Sequence, residues 1–123
     1  MSPCPCGSGG AYEACCGPWH GGEPAPTAEA LMRSRFSAFA RKNAAYLLRT
    51  LHPLERSKPR AGDFRAAFAL TWTHLEVLAT RDGGPDDTTG MVHFRAHYQG
   101  GVLEERSRFF KVGGEWLYRD GKG

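Results

Sequence analysis

All four cysteines of the 123-residue chain lie within its first 16 positions, and this cluster constrains the fold more than any other feature. The motif is Cys4-Pro5-Cys6, eight intervening residues, then Cys15-Cys16. Residues 1 to 26 also hold five of the eight prolines and almost no aliphatic side chains. Such a segment cannot build an apolar core of its own, and a bound metal is the usual substitute in so short a piece.

Zinc is the metal that this cysteine pattern indicates. Two close cysteine pairs joined by a glycine-containing turn offer four thiolates for a tetrahedral ion, each at about 2.3 Å. The predicted ligands are Cys4, Cys6, Cys15 and Cys16, with His20 as a spare candidate that would replace Cys16 if the adjacent cysteines cannot both reach the metal. Because four protein ligands leave no open position for a substrate, the predicted zinc is structural.

Disulfide and redox interpretations of the cluster are weaker alternatives. A bridge between Cys15 and Cys16 would close a strained ring, and paired bridges suit secreted mini-proteins. The first residues lack the basic and apolar regions of a signal peptide, and no apolar stretch approaches the roughly 18 residues of a membrane span. We therefore expect a cytoplasmic protein with no membrane association. A redox pair usually has Cys-x-x-Cys spacing near a βαβ unit, and the sequence has neither.

The charge distribution disfavours nucleic acid as a partner. The 16 basic and 13 acidic residues are interleaved and give a formal net charge of +3. The cysteine segment itself carries no Lys or Arg before Arg33, so phosphate contacts would have to come from elsewhere.

Helical periodicity dominates the chain from residue 27 to about residue 70. Met32, Phe36 and Phe39 recur at the spacing of one helix face, which predicts a core-facing stripe. The predicted helices cover residues 28–41, 44–51 and a short stretch after Gly62, with Thr27, Asn43 and Asp63 as N-caps.

From Thr71 the apolar period changes to two, which indicates strands. Strands are predicted near residues 75–79 and 91–98 and over 102–112 and 115–119, with Gly113-Gly114 as a hairpin turn. His93, Arg95 and His97 share one face of their strand, which we interpret as a solvated sheet face. Helices followed by an antiparallel meander predict an α+β domain with the helices packed on one face of a curved sheet.

Two family resemblances appear at this point. The segment Pro3 to Gly9, with Tyr12 and Cys15-Cys16-Gly17, resembles the SEC-C zinc motif found at the C-terminal end of the SecA preprotein translocase ATPase. Further segments resemble the uncharacterised bacterial YchJ family over nearly the whole chain: residues 31–39, Tyr46-Leu47, residues 50–53, Trp72, residues 105–109 and Trp116. The resemblance implies a SEC-C zinc knuckle in residues 1–26. It also implies a conical domain like nuclear transport factor 2 (NTF2-like, or cystatin-like) in residues 27–123.

Domains of this conical fold often enclose a pocket between helices and sheet, although the fold alone does not define a function. The candidate pocket residues are Arg33, Arg35, His52, Trp72, Glu105, Ser107 and Arg108. No catalytic residue is assigned, and Glu105 is the acid–base candidate. Alternatively, Glu105 forms a structural ion pair with an arginine of the first helix.

Two functions follow from these observations, and the sequence favours the first. In the first, the zinc knuckle is a non-enzymatic protein-interaction module that presents Tyr12 and Trp19. SEC-C in SecA is implicated in contacts with the chaperone SecB and with ribosomes, so the resemblance implies a chaperone, translocation or translation-associated partner. In the second, the conical domain binds a small molecule in its pocket, as a carrier or an enzyme.

Overall fold

The computed structural model describes residues 3–59 and 61–122. Its helices are α1 (Gly17–His20), α2 (Ala28–Ala40), α3 (Ala44–Arg49), α4 (Pro53–Arg56) and α5 (Arg65–Phe68), and a 3₁₀ turn spans Tyr12–Ala14. Its strands are β1 (Trp72–Asp82), β2 (Thr89–Tyr98), β3 (Gly101–Val112) and β4 (Glu115–Lys122). Helices thus precede an all-antiparallel sheet, and the predicted α+β class is confirmed.

The four strands form a meander in the order β1-β2-β3-β4. Gly113 and Gly114 both have positive φ values, 60° and 84°, as a tight hairpin turn between β3 and β4 requires. The register pairs Phe94 with Glu105 and Ala96 with Leu103, which places these four side chains on one face of the sheet. This face of the sheet packs toward the helices. The opposite face, called the outer face below, carries His93, Arg95 and His97.

Helix α2 is the element that covers the sheet. Thr27 caps it as predicted, since its Oγ1 accepts a hydrogen bond of 3.0 Å from the Ala30 amide. The buried stripe of α2 includes Leu31, Met32 and Phe36, and it packs against Phe109 and Trp116 of the sheet in one apolar core. The start of α2 also lies against the β1–β2 turn, where a Cβ at Gly83 would meet Ala28 at 2.7 Å.

The N-terminal segment, residues 3–26, is called the knuckle below, and residues 27–122 are the conical domain. The knuckle packs directly on the conical domain: Cys4, Cys6 and Cys16 belong to the same buried cluster as Leu31 and Phe36. Gly7, with φ of +80°, lies against strand β1, where an added Cβ would be 3.3 Å from His74 and 3.5 Å from the Leu75 carbonyl oxygen. At the other edge of the sheet, residues 50–52 exchange backbone hydrogen bonds with Tyr118 of β4.

Local differences from the predicted elements have identifiable causes. Helix α4 is an element that the sequence analysis does not predict; it begins at Pro53, because proline fits the first turn of a helix. A register shift between Val77 and Ala79 interrupts the simple alternation predicted for β1. No helix within residues 3–59 and 61–122 is long and apolar enough to cross a membrane.

Candidate functional site

The four cysteine sulfurs converge at the junction of the knuckle and the conical domain. All four Sγ atoms lie within 4.8 Å of one another. The Sγ of Cys15 is 3.6 Å from that of Cys6 and 3.9 Å from that of Cys16. A tetrahedron of sulfurs around zinc at about 2.3 Å has an edge of about 3.8 Å. The cluster is therefore compatible with metal binding in size and in donor chemistry.

The local backbone explains this convergence. The Cys4 amide donates to the Gly10 carbonyl at 2.9 Å, and the Gly7 amide donates to the Cys4 carbonyl at 3.1 Å, so the first two cysteines sit in a tight loop. The 3₁₀ turn and α1 then return Cys15 and Cys16 to that loop. Cys6 and Cys16 are almost fully buried, with exposed fractions of 0% and 1%.

Hydroxyl groups surround the sulfurs from both parts of the chain. The Ser8 Oγ of the knuckle is 3.1 Å from Cys15 Sγ, and the buried Ser37 Oγ of α2 is 3.3 Å from Cys4 Sγ. The Arg33 side chain reaches the Cys6 carbonyl oxygen at 3.5 Å. Hydroxyl donors of this kind stabilise and orient metal-ligating thiolates.

The close packing of the sulfurs shifts the pKa values of the thiols in opposite directions. The neighbouring Cys16 thiol lowers the pKa of Cys6 to about 4, whereas the Cys6 thiolate and burial raise the pKa of Cys16. Burial raises the pKa of Cys15. A metal ion that binds here must therefore displace protons from Cys15 and Cys16.

His20, the spare ligand candidate, lies outside the group of converging sulfurs and has both ring nitrogens engaged. Its Nε2 is 2.7 Å from the Ser34 carbonyl oxygen, which only accepts, so Nε2 carries the proton. Its Nδ1 therefore accepts from the Tyr12 hydroxyl at 2.5 Å. Burial lowers the pKa of His20, which favours this neutral form. His20 thus links the knuckle to α2.

A cavity of about 540 Å³ lies between the helices and the helix-facing side of the sheet. Residues of α2, the segment from Leu51 to Leu70 and all four strands line it. Its apolar wall consists mainly of Met32, Phe36, Phe39, Leu51, Phe64, Trp72, Phe94, Ala96 and Leu103, and its polar groups belong to Arg35, Glu55, Lys58, Glu105 and Tyr118. The cavity thus combines a mostly apolar surface with a few charged groups, as is common in small-molecule sites.

Arg35 projects from α2 to the wall of this cavity with an exposed fraction of only 4%. Its Nη1 donates to the Leu47 carbonyl at 2.9 Å and to Thr50 Oγ1 at 2.6 Å. The guanidinium also lies 4.7 Å from the centre of the Tyr118 ring. Burial lowers the pKa of Arg35 to about 10, so it remains charged at neutral pH.

Glu105 faces the same cavity from β3. Its Oε2 accepts hydrogen bonds from Ser107 Oγ at 2.6 Å and from the Tyr118 hydroxyl at 3.2 Å. Among the described residues, no arginine or lysine nitrogen lies within 4.0 Å of Glu105. The predicted alternative of a direct Glu105–arginine ion pair therefore does not form in this structure.

Of the other predicted pocket residues, one lines the cavity and four lie outside it. Trp72 lines the cavity and donates from Nε1 to the Ala67 carbonyl at 3.0 Å, whereas Ser107 is fully buried behind Glu105. Arg33 and His52 lie elsewhere: Arg33 pairs with Glu29 beside the knuckle, and His52 caps α4 through Nδ1. Arg108, also outside the cavity, pairs with Asp120 on the outer face.

Sequence reasoning missed Tyr118, which contacts both Arg35 and Glu105. Burial raises the pKa of its hydroxyl, and the Glu105 charge adds to that effect. The signal that could have found it is the spacing of two from Trp116, which places both aromatic rings on one face of β4.

The outer face of the sheet is polar and at least partly exposed, and its basic side chains contact carboxylates. His93 Nε2 and Arg95 Nε both lie 2.8 Å from the Glu104 carboxylate. His97 Nε2 is 3.1 Å from Glu76 Oε1.

Comparisons with known proteins agree with these two parts. Residues 2–18 match the SEC-C motif, and residues 27–121 match the family model described as the YchJ middle NTF2-like domain. A SEC-C knuckle ahead of an NTF2-like α+β domain therefore defines the class of this protein. The chain belongs to the YchJ family, which confirms the resemblance seen in its sequence.

Relatives and solved structures align with nearly the whole chain. A UPF0225 protein of Streptomyces coelicolor is 55% identical, with 98% of this chain and 94% of the relative covered. A UPF0225 protein of Streptomyces avermitilis is 52% identical over 97% and 83% of the two chains. The solution structure of a SEC-C motif containing protein from Rhodopseudomonas palustris superposes with a TM-score of 0.80 at 34% identity, covering 98% and 97% of the chains. The crystal structure of a SEC-C motif containing protein from Psychrobacter arcticus also gives 0.80, at 27% identity over 95% and 80%.

Proposed function

We propose that this protein binds a small, largely apolar molecule in the cavity of its conical domain, and that a structural zinc ion folds its knuckle. The observation that carries the proposal is the aromatic cavity of about 540 Å³ with a buried arginine and a glutamate on its walls. A cavity of this size holds a molecule of several rings or a comparable chain.

Zinc is supported by the donor set and the geometry of the cysteine site. Four sulfurs at tetrahedral spacing suit Zn²⁺, and a closed set of protein ligands suits a structural ion rather than a catalytic one. Ser37 and Ser8 would steady the thiolates of Cys4 and Cys15.

The ligand set is tested by metal content and by the spectrum of the Co²⁺-substituted protein. We expect one zinc per chain and thiolate-to-cobalt bands typical of four sulfur ligands. Cys15→Ser should lose metal, whereas His20→Gln should keep the four-sulfur spectrum because both nitrogens of His20 bond elsewhere. A spectrum of three sulfurs and one nitrogen in the wild type would contradict the assignment.

The protein-interaction hypothesis has less support than the cavity. It depended on Tyr12 and Trp19 being presented to a partner, but both are half-buried and packed against the apolar core. The Tyr12 ring lies beneath the Arg41 guanidinium at 3.9 Å and its hydroxyl bonds to His20. These aromatic groups hold the knuckle on the domain, which leaves the cavity as the better-supported site.

Cavity binding is tested with the neutral fluorescent probe N-phenyl-1-naphthylamine. We expect saturable binding of one probe per chain, with quenching of the tryptophan fluorescence. Ala96→Phe should abolish binding, because Ala96 faces the cavity and the added ring would fill part of it. Its matched control is Ala79→Phe, an exposed position on the neighbouring strand. Absence of saturable binding, or equal loss in both variants, would refute the proposal.

A further inference from the structure

Arg35 and Glu105, two of the four charged residues that line the cavity, both contact Tyr118 but are not paired with each other. The Arg35 guanidinium lies 4.7 Å from the centre of the Tyr118 ring, and the hydroxyl of that ring is 3.2 Å from Glu105 Oε2, yet no hydrogen bond or salt bridge joins Arg35 to Glu105. The remaining charged lining groups, Glu55 and Lys58, bind each other at 2.6 Å. The unpaired charges of the cavity are therefore one cation and one anion, with a net charge of zero.

Arg35 has donors that the protein does not use. Both of its hydrogen bonds leave from Nη1, to Leu47 and Thr50. Within residues 3–59 and 61–122, its Nε and Nη2 have no acceptor, and no fully enclosed side-chain nitrogen or oxygen lacks a partner. These donors are therefore open to the cavity, where a ligand acceptor would satisfy them.

Glu105 likewise presents an unused acceptor. Both hydrogen bonds that it receives, from Ser107 and Tyr118, arrive at Oε2. A Cβ on Gly121 would collide with this oxygen, so the glycine of β4 leaves the space that the carboxylate occupies. The carboxylate is thus held by one oxygen, and its Oε1 accepts no hydrogen bond from a described residue.

We propose that the cavity selects apolar molecules whose head group has no net charge and carries an acceptor beside a donor, the acceptor meeting Arg35 and the donor meeting Glu105. This inference rests on the proposed function, since it names the ligand class of the same cavity. A primary carboxamide is the smallest group of this kind. An anionic head would satisfy Arg35 but add a second negative charge near Glu105, and a cationic head would do the reverse; burying either uncompensated charge is costly.

The test compares three probes that share a naphthalene body: 2-naphthamide, 2-naphthoate and 2-naphthylmethylammonium. Affinities are measured by calorimetry, with the intrinsic tryptophan fluorescence as a second readout. We expect the carboxamide to bind at least about tenfold more tightly than either ion, because it alone satisfies both charged groups without adding charge.

Glu105→Gln provides the discriminating variant, because it removes one charge while keeping an oxygen that Ser107 and Tyr118 can bond. We expect naphthoate to gain about tenfold and the ammonium probe to lose affinity, so that the anion approaches or overtakes the carboxamide. The matched control is Glu104→Gln, one residue away on the outer face of the same strand, which should leave the order unchanged. Arg35→Gln should produce the opposite shift in the order of affinities. If the Arg35 variant does not fold, the Glu105 variant alone tests the proposal.

The outcomes separate the two proposals. If N-phenyl-1-naphthylamine binds but wild-type protein takes naphthoate as tightly as naphthamide, or Glu105→Gln leaves the order unchanged, the head-group assignment is overturned and the binding function stands. If neither the neutral probe nor any naphthalene probe binds, both are overturned.

Discussion

The knuckle and the conical domain differ in the interactions that hold each of them in its folded shape. The knuckle contributes almost no aliphatic side chains, and its loop and turns bring four sulfurs to one point. The conical domain buries Phe36, Phe109 and Trp116 between α2 and the sheet. With the proposed zinc bound, an apolar core and a metal centre would stabilise adjacent parts of one chain. They also share a boundary, since Cys4, Cys6 and Cys16 pack into the apolar core.

Removing the metal should have the largest effect on this comparison. With a strong chelator, we expect residues 3–26 to lose protection from hydrogen exchange while the amides of β2 and β3 remain protected. The melting temperature of the domain should fall by about 10 °C or more, because the unfolded knuckle would uncover Leu31 and its neighbours. Unchanged protection in the knuckle would show that the metal is not what folds it.

A substitution in the core of the conical domain should have the second-largest effect. Phe109→Ala removes a ring with an exposed fraction of 0%, and we expect a loss of about 3–5 kcal/mol in the free energy of unfolding without loss of zinc. Phe110→Ala, the adjacent and only half-buried residue, is the matched control and should cost less. Denaturant unfolding and metal analysis measure the two quantities. Equal losses would contradict the assigned packing.

The boundary itself is tested by Ser37→Ala. This change removes the hydroxyl that α2 places 3.3 Å from Cys4 Sγ, and we expect zinc affinity to fall by about 10- to 100-fold, measured by competition with a chelator. Ser8→Ala removes the exposed hydroxyl near Cys15 and should have a smaller effect, since water can replace it. The reverse order would mean that the conical domain does not support the metal site.

The smallest effect is expected on the outer face. Glu104→Gln disrupts the contacts with His93 and Arg95, but these ion pairs are exposed and screened by solvent. We expect no measurable change in melting temperature, zinc content or probe binding. A clear drop in stability would show that the outer face supports the fold as well as solubility.

The sequence was sufficient wherever a local pattern determines the structure. The cap at Thr27 and the apolar spacing after it predicted α2 to within one residue, and Gly113-Gly114 predicted the β3–β4 turn. The cysteine spacing likewise predicted a cluster of four side chains, and the structure places their Sγ atoms within 4.8 Å of one another.

The cavity could not be predicted in the same way, because its walls come from segments far apart in the chain. Arg35 and Glu105 were named as candidates, but whether they pair depends on the separation of α2 and β3, which no local pattern encodes. Arg33, on the same helix, contacts the knuckle instead of the cavity. Tyr118 lines the cavity, although the sequence analysis did not name it.

The contact of Gly7 with strand β1 has a further consequence. An edge strand with free backbone groups invites pairing with a second chain, and proteins usually cover or interrupt such edges. Residues 50–52 cover β4, and the knuckle turn lies against the backbone of β1 at Leu75. Once the knuckle unfolds, β1 loses this cover. Metal loss would then promote aggregation through β1 before the conical domain itself had melted.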